Sequence, residues 1–458
     1  MLHVRSGDAA GANRVSSATV RLDGTTLLGP SAFNQQQSEW SLPVALGSTA
    51  VLSVSLASKP GSYLEIWLQG KRSGTLFCED GSPTAIGDLQ QAIAATPAGG
   101  TVLVCPGTHR VAEVRIAKPL TIEGIGATKP VLDFGGQCCG LRVDGAVGGT
   151  IRIRGLQFQN GKYQEILLSG STDSVVIEKS EFYPGSDLPD APWGLYAGIA
   201  VGPALSVLIQ DNAFHGGDVG VHVHGSNGIS ILNNTFSSEN FALHLGDNSG
   251  LRIADNTISG CGPNYCIGIF DNLAPAAGSL TELLRNSIHV NFSRATREAV
   301  YLGTATARVE GNEIVAAGGS TDPADPSTWP IWVSAIHVGG KVTLLGNRIS
   351  GAWIGLVFQG SAVSATGSDN TISRVGSVLA LGDAAAVTLN GNDFTGYSSP
   401  ISIWYSTNTM GPVSLRCNWW GSTDGPQNVN WVAGQWPTMY TPWATQPIAN
   451  QPAVACTP

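Results

Sequence analysis

Over much of the chain, apolar and polar residues alternate in short runs bounded by Gly, Pro, Ser and Asn. Period two marks a strand with one buried face. Four such runs, "SATVRLDG", "EWSLPVALG", "AVLSVSLAS" and "YLEIWLQG", lie between residues 15 and 72. They predict a small antiparallel β-sandwich within residues 1–75. One segment changes period. In "PTAIGDLQQAIAATP", residues 83–97, Ile86, Leu89, Gln90 and Ile93 fall near one face and "AGG" ends the run. That pattern predicts a single helix.

Farther on, the alternation becomes a repeat of the form apolar-x-apolar-x-x-Asn-x-Phe/Ile. It aligns Asn212, Asn234, Asn256, Asn286, Asn312, Asn347, Asn370, Asn392 and Asn418, at spacings of 22, 22, 30, 26, 35, 23, 22 and 26. Leu156 and Ser180 hold the same place in earlier turns. A base period with irregular additions predicts stacked coils with loop insertions. Leucine-rich repeats share the period, but they favour Leu at fixed positions and one strand per repeat. This repeat is rich in Ile and Val and has a second strand, as in "GVHVHG", "FALHLG", "EAVYLG" and "AIHVGG". Several strands per coil predict an all-β fold, a parallel β-helix over residues 76–430. Its inward Asn side chains would stack coil on coil at about 4.8 Å. The helix would cap the open first coil. The Trp- and Pro-rich tail, 431–458, would pack on the other end.

Strand parity then sorts the side chains. With Val221 and Val223 facing the core, His222 and His224 face out; with Leu243 and Leu245 inside, His244 faces out. The same rule turns Tyr301 and His337 outward. One exposed column therefore reads Ala200, His222, His244, the Gly268/Phe270 region, Tyr301 and His337. The path from the ladder to this column takes 10 residues in the plain coils, but 20, 15 and 25 where it leads to Ala200, Tyr301 and His337. The extra length lies just before this strand, in loops 183–197, 289–298 and 315–332. Those loops carry Trp193, Tyr196, Arg294, Arg297, Trp329 and Trp332. Loops gathered on one edge of a repeat stack build its binding face, and indoles suit the C–H faces of sugar rings.

Two stacked imidazoles disfavour double protonation, so one of them serves as a neutral general base. Tyr301 is placed to protonate a leaving glycosidic oxygen. Arg294, Arg297 or a bound cation such as Ca2+ would neutralise a uronate carboxylate. A single exposed His is usually a tolerated surface residue; four His and a Tyr on one face beside the longest loops are not. With His337 as a further catalytic candidate, His224, Trp193, Tyr196, Phe270, Trp329 and Trp332 are expected to contact substrate. Three other readings compete. Paired carboxylates drawn from Asp218, Glu239, Asp247, Asp271 and Glu298 would make a glycoside hydrolase or glycosyl-transferring enzyme. His222, His224 and His244 would hold Zn or Cu. A structural or adhesive β-helix would explain the repeats and leave the histidines unexplained.

The segments "AGGTVLVCPGTH" and "KPLTIEG", the Asn column and the "CNWWGSTDGP" ending resemble right-handed parallel β-helix proteins of the pectate-lyase-like group. The resemblance spans roughly residues 78–430. It implies the right-handed fold and a substrate groove on the sheet that carries the histidines. It leaves the chemistry open, because the group includes lyases, hydrolases, epimerases, copper-accessory proteins and adhesins. The N-terminal sandwich resembles accessory modules of secreted bacterial enzymes.

Composition narrows the partners. Of 458 residues 12% are charged and 58 are Gly, a profile for strands and tight turns. A net charge of −9 without a basic run argues against a nucleic-acid partner. No apolar run is long enough to span a membrane as a helix. The first residues lack the apolar core of a signal peptide and read as the start of a mature chain. The eight Cys include no C-x-x-C pair. Cys261 with Cys266 and Cys417 with Cys456 are expected to form disulfides, in an exported, extracellular or periplasmic protein.

Overall fold

The computed structural model describes the chain apart from residues 9, 35, 45–50, 69–73, 79–84, 137–138, 146–147, 171–173, 185–195, 205, 238–239, 262–264, 271–278, 292–297, 304–305, 318–333, 361, 383–384, 404–410, 428–436 and 449–458. It divides into two units, residues 1–73 and 74–458.

The first unit has two small antiparallel sheets. One sets Leu2–Ser6 between Glu39–Leu42 and Leu64–Leu68; the other sets Ala18–Leu22 between Thr25–Leu28 and Leu52–Leu56. Leu2, Val4, Val20, Phe33 and Trp40 form its core. The strand Leu2–Ser6 was not anticipated from the alternation.

The second unit is a right-handed parallel β-helix of about 11 turns. A plain coil uses three short strands, as in Val207–Gln210, Ala213–His215 and Val219–His224. Each strand pairs in parallel with its counterpart one coil on. The helix at the open end is shorter than the apolar spacing suggested. It runs Leu89–Ala95, with Asp88 as N-cap accepting from the Gln91 amide at 2.7 Å. Ile86 is not helical; it bridges Phe77 as an extended residue. Leu89, Ala92 and Ile93 cover the core, and Gln90 faces solvent.

The Asn column is a buried ladder. Asn234 Nδ2 donates to Asn256 Oδ1 at 3.1 Å and to the Ile209 carbonyl at 2.9 Å, while the Asn234 amide donates to the same Oδ1 at 2.9 Å. The same bonds recur at Asn212, Asn256, Asn286, Asn312, Asn347, Asn370 and Asn392, and Asn418 closes the series. The residue before each ladder position takes positive φ: Asp211, Asn233, Asp255, Arg285, Gly311, Gly346, Asp369, Gly391 and Cys417. Asp, Asn and Gly recur there because they tolerate that backbone best. Two residues after the ladder, Phe158, Phe182, Phe214 and Phe236 stack ring on ring at 4.9, 4.7 and 4.6 Å. Register is thus set on both sides of one turn.

At the far end, residues 437–448 add to the last coil. The Leu415 amide donates to the Met439 carbonyl, and the Ala444 amide to that of Asn418. Cys261 and Cys266 are disulfide-bonded and lie in the core. A second disulfide, Cys78 to Cys105, was not anticipated. Cys417 is disulfide-bonded; Cys456 lies outside the described residues. Alkylation of the unfolded, unreduced chain should therefore leave Cys78, Cys105, Cys261 and Cys266 unlabelled in a peptide map. Label at Cys261 and Cys266 would contradict the core pairing.

Candidate active site

The outward column follows the backbone register. Ala200 pairs with His222, His222 with His244, His244 with Gly268, Gly268 with Tyr301, and Tyr301 with His337. A second outward column runs beside it. In each coil two adjacent residues both face the core, as Ala242 and Leu243 do, so the residue before them turns outward. This brings Phe241, Tyr265 and Glu298 level with His244, Gly268 and Tyr301. Strict alternation missed Phe241 and Tyr265. The doubled apolar pair in "FALH", "YCIG" and "EAVY" was the available signal.

The rings form a continuous strip. His244 stacks on Phe270 at 4.8 Å, Phe270 lies 5.2 Å from Tyr301, and Tyr301 meets His337 edge-on at 5.1 Å. Phe241 and Tyr265 flank it, with Phe241 5.7 Å from His244 and Tyr265 5.4 Å from Tyr301. Gly268 is required here. A Cβ on it would sit 2.4 Å from the Phe270 ring. Phe270 therefore folds back over Gly268 and lies between His244 and Tyr301, so those two cannot grip one reacting bond together.

A tighter group forms at Tyr301. His337 Nδ1 lies 2.7 Å from Glu298 Oε1. A carboxylate only accepts, so Nδ1 carries the proton of this contact and Nε2 is left pointing elsewhere. Both side chains are largely shielded, at 16% and 14% exposure. Glu298 Oε2 is buried with no hydrogen-bond partner among the described residues, which leaves an acceptor poised for a hydroxyl. Burial first, and the Glu298 charge second, raise the Tyr301 pKa, so the phenol keeps its proton.

His222 and His244 face each other through their Nδ1 atoms at 3.0 Å. One donates and the other accepts; a second proton would set two N–H groups against each other. Burial, then His244 and His224, lowers the His222 pKa to about 4. Burial also lowers that of His244, opposed by Asp218. The folded state thus binds fewer protons than the unfolded chain between about 4 and 6.5. Stability should therefore rise with pH across that window, by roughly 2–3 kcal/mol for His222. Urea unfolding from neutral pH down to about 4 should show this slope, and His222→Gln should flatten it. An unchanged slope in the variant would contradict the pairing.

The other candidates separate. His224 turns away from His222 and His244 to Asp247, with Nε2 3.2 Å from Oδ2. Among the described residues no group of three His, Cys, Asp or Glu is placed to hold a metal. The three-histidine Zn or Cu site is therefore not formed by these side chains. Asp218 precedes the strand Val219–His224 and accepts from Asn240 at 3.1 Å. Asp247 follows the neighbouring strand Phe241–Gly246, beyond the opposite strand end. Glu298 is engaged by His337. None of these three carboxylates faces another as a hydrolytic pair would require. Tyr196, expected on the rim, is 7% exposed and stacks on Tyr163 at 5.7 Å. Trp193, Glu239, Asp271, Arg294, Arg297, Trp329 and Trp332 lie outside the described residues.

A family model described as "Right handed beta helix region" matches residues 139–321. No curated protein matches the sequence. The chain is similar in structure to the A-module of a mannuronan C-5 epimerase from Azotobacter vinelandii. That match has 16% identity and a TM-score of 0.51, and covers 71% of this chain and 97% of that one. It is also similar to the catalytic domain of a GH87 α-1,3-glucanase in complex with nigerose, at 13% identity and TM-score 0.50, covering 94% and 89%. A PL6 family polysaccharide lyase from Pseudopedobacter saltans matches at 13% identity and TM-score 0.46, covering 72% and 88%. At these identities the likeness is one of fold.

Proposed function

We propose that the protein is a carbohydrate-active enzyme that cleaves a uronate-containing polysaccharide by β-elimination, in the groove over the outward columns. The observation that carries this is the group Glu298–His337–Tyr301 on an aromatic strip. His337, held by Glu298 through Nδ1, uses Nε2 to take the proton from C5 of a uronate. The electron pair left at C5 forms the C4–C5 double bond as the C4–O bond breaks. Tyr301 gives its proton to the departing oxygen. A base and an acid side by side suit this sequence. Phe241, Tyr265 and Phe270 offer apolar faces to the flanking rings. Arg294 and Arg297, which shortly precede Glu298 in the chain, are the proposed partners of the uronate carboxylate.

Two fold relatives, a mannuronan C-5 epimerase and an α-1,3-glucanase, support a glycan substrate. Disulfides are consistent with an exported, extracellular or periplasmic enzyme. Incubation with a panel of polyuronates and neutral glucans tests the reading. Ultraviolet absorbance from the new double bond should rise together with reducing ends on a polyuronate. Reducing ends rising alone would replace elimination by hydrolysis, and no change on any glycan would remove the enzyme reading.

A further inference from the structure

His222 and His244 stand outside the group Glu298–His337–Tyr301. His244 pairs with Gly268, and Gly268 with Tyr301, so His244 is two strand spacings, about 10 Å, from the phenol. Its ring lies between His222 at 5.0 Å and Phe270 at 4.8 Å, with Phe241 edge-on at 5.7 Å. Side chains stand roughly perpendicular to a sheet, and these ring contacts fix both imidazoles in place. Nδ1 adjoins Cγ at the root of each ring, and Nε2 lies at the tip. The two Nδ1 atoms are bonded to each other. Neither Nε2 has a hydrogen-bond partner among the described residues, and neither is buried. The nitrogens left for a ligand are therefore the two tips.

Burial favours the neutral form of both rings. A neutral imidazole carries one proton. The ring that donates through Nδ1 then has a bare Nε2, and the ring that accepts carries its proton on Nε2. Whichever ring donates, the pair presents one acceptor and one donor on neighbouring strands, and no charge. Resting on the functional reading above, we infer that His222 and His244 form a subsite for a neighbouring sugar of the glycan, and that it binds two adjacent ring hydroxyls, not a carboxylate. One hydroxyl donates to the bare Nε2 and the other accepts from the N–H. A carboxylate only accepts, so it would set its charge against the lone pair of the bare nitrogen. The stacked rings are held before the sugar arrives, so little side-chain freedom is lost on binding.

Oligomannuronate and neutral gluco-oligosaccharides are the probes, bound to Tyr301→Phe so that turnover is slow. Adding His244→Phe keeps a ring in the stack and removes both nitrogens. Affinity for each probe should fall about 2–10-fold, the size expected for one neutral hydrogen bond. The loss should be the same at low and high salt, because no charge is involved. His244→Gln, whose amide keeps a donor and an acceptor, should recover part of the affinity, which separates a lost bond from a misfolded chain. A loss confined to oligomannuronate, or one that fades as salt rises, marks a cation holding a carboxylate and overturns the subsite. Unchanged affinity overturns it as well. In each of these cases the elimination reading stands if the unaltered chain still forms unsaturated products. The expected loss on both probes with no unsaturated product from any polyuronate keeps the subsite and overturns the elimination. Absence of binding to both probes overturns the subsite.

Discussion

Tyr301→Phe should lower kcat/KM on a polyuronate by about 10²–10⁴-fold, the range for loss of a positioned acid. The phenol is the only part of the residue removed. Its ring contacts with Tyr265, Phe270 and His337 remain, so glycan binding and the melting temperature should stay near those of the native chain. Glu298→Gln should cause a loss of the same order by a different route. A glutamine amide at this position no longer requires a proton on His337 Nδ1, so the lone pair at Nε2 is no longer assured. Normal turnover in either variant, measured as initial rates at saturating and limiting substrate, would remove that residue from the chemistry.

Asn256→Leu should destabilise the β-helix by on the order of 5 kcal/mol. The substitution leaves the Asn234 amide and its Nδ2 without Asn256 Oδ1, the Ile231 carbonyl without its donor, and Asn286 Oδ1 with only the backbone amide of residue 256 as donor. Each stranded buried group costs about 1–3 kcal/mol. Water cannot compensate, because the neighbouring Asn residues are buried as well. Thr257, next in the chain, faces solvent, and Thr257→Ala should change stability by less than about 0.5 kcal/mol. Chemical denaturation of the two variants checks this. Equal midpoints would mean that the ladder is not a source of stability.

The repeat was legible because two constraints meet at one position. A ladder Asn bonds the coils on both sides, and the residue before it must take positive φ, so both leave a mark at every turn. Strand parity then placed His222, His244, Tyr301 and His337 in one column without coordinates. What parity could not supply was the double inward step at pairs such as Ala299–Val300, which swings Glu298 onto the outer face beside His337. Glu298 is a candidate for a hydrolytic carboxylate pair by sequence; its partner in the structure is an imidazole in the adjacent column, one coil on. The folding back of Phe270 over Gly268 depends on a close approach that sequence does not display. The helix is shorter than its apolar spacing for a similar reason: Ile86 has helical spacing but spends its hydrogen bonds on the neighbouring extended segment around Phe77.

The central claim is that His337 takes a proton from C5 of a uronate beside Tyr301. A polyuronate deuterated at C5 tests it most directly, with the products read by mass spectrometry. The account predicts that every unsaturated product end formed by the native chain has lost its deuterium, and that Glu298→Gln and Tyr301→Phe form such ends far more slowly. Cleaved products that keep the label at the newly formed ends would contradict it.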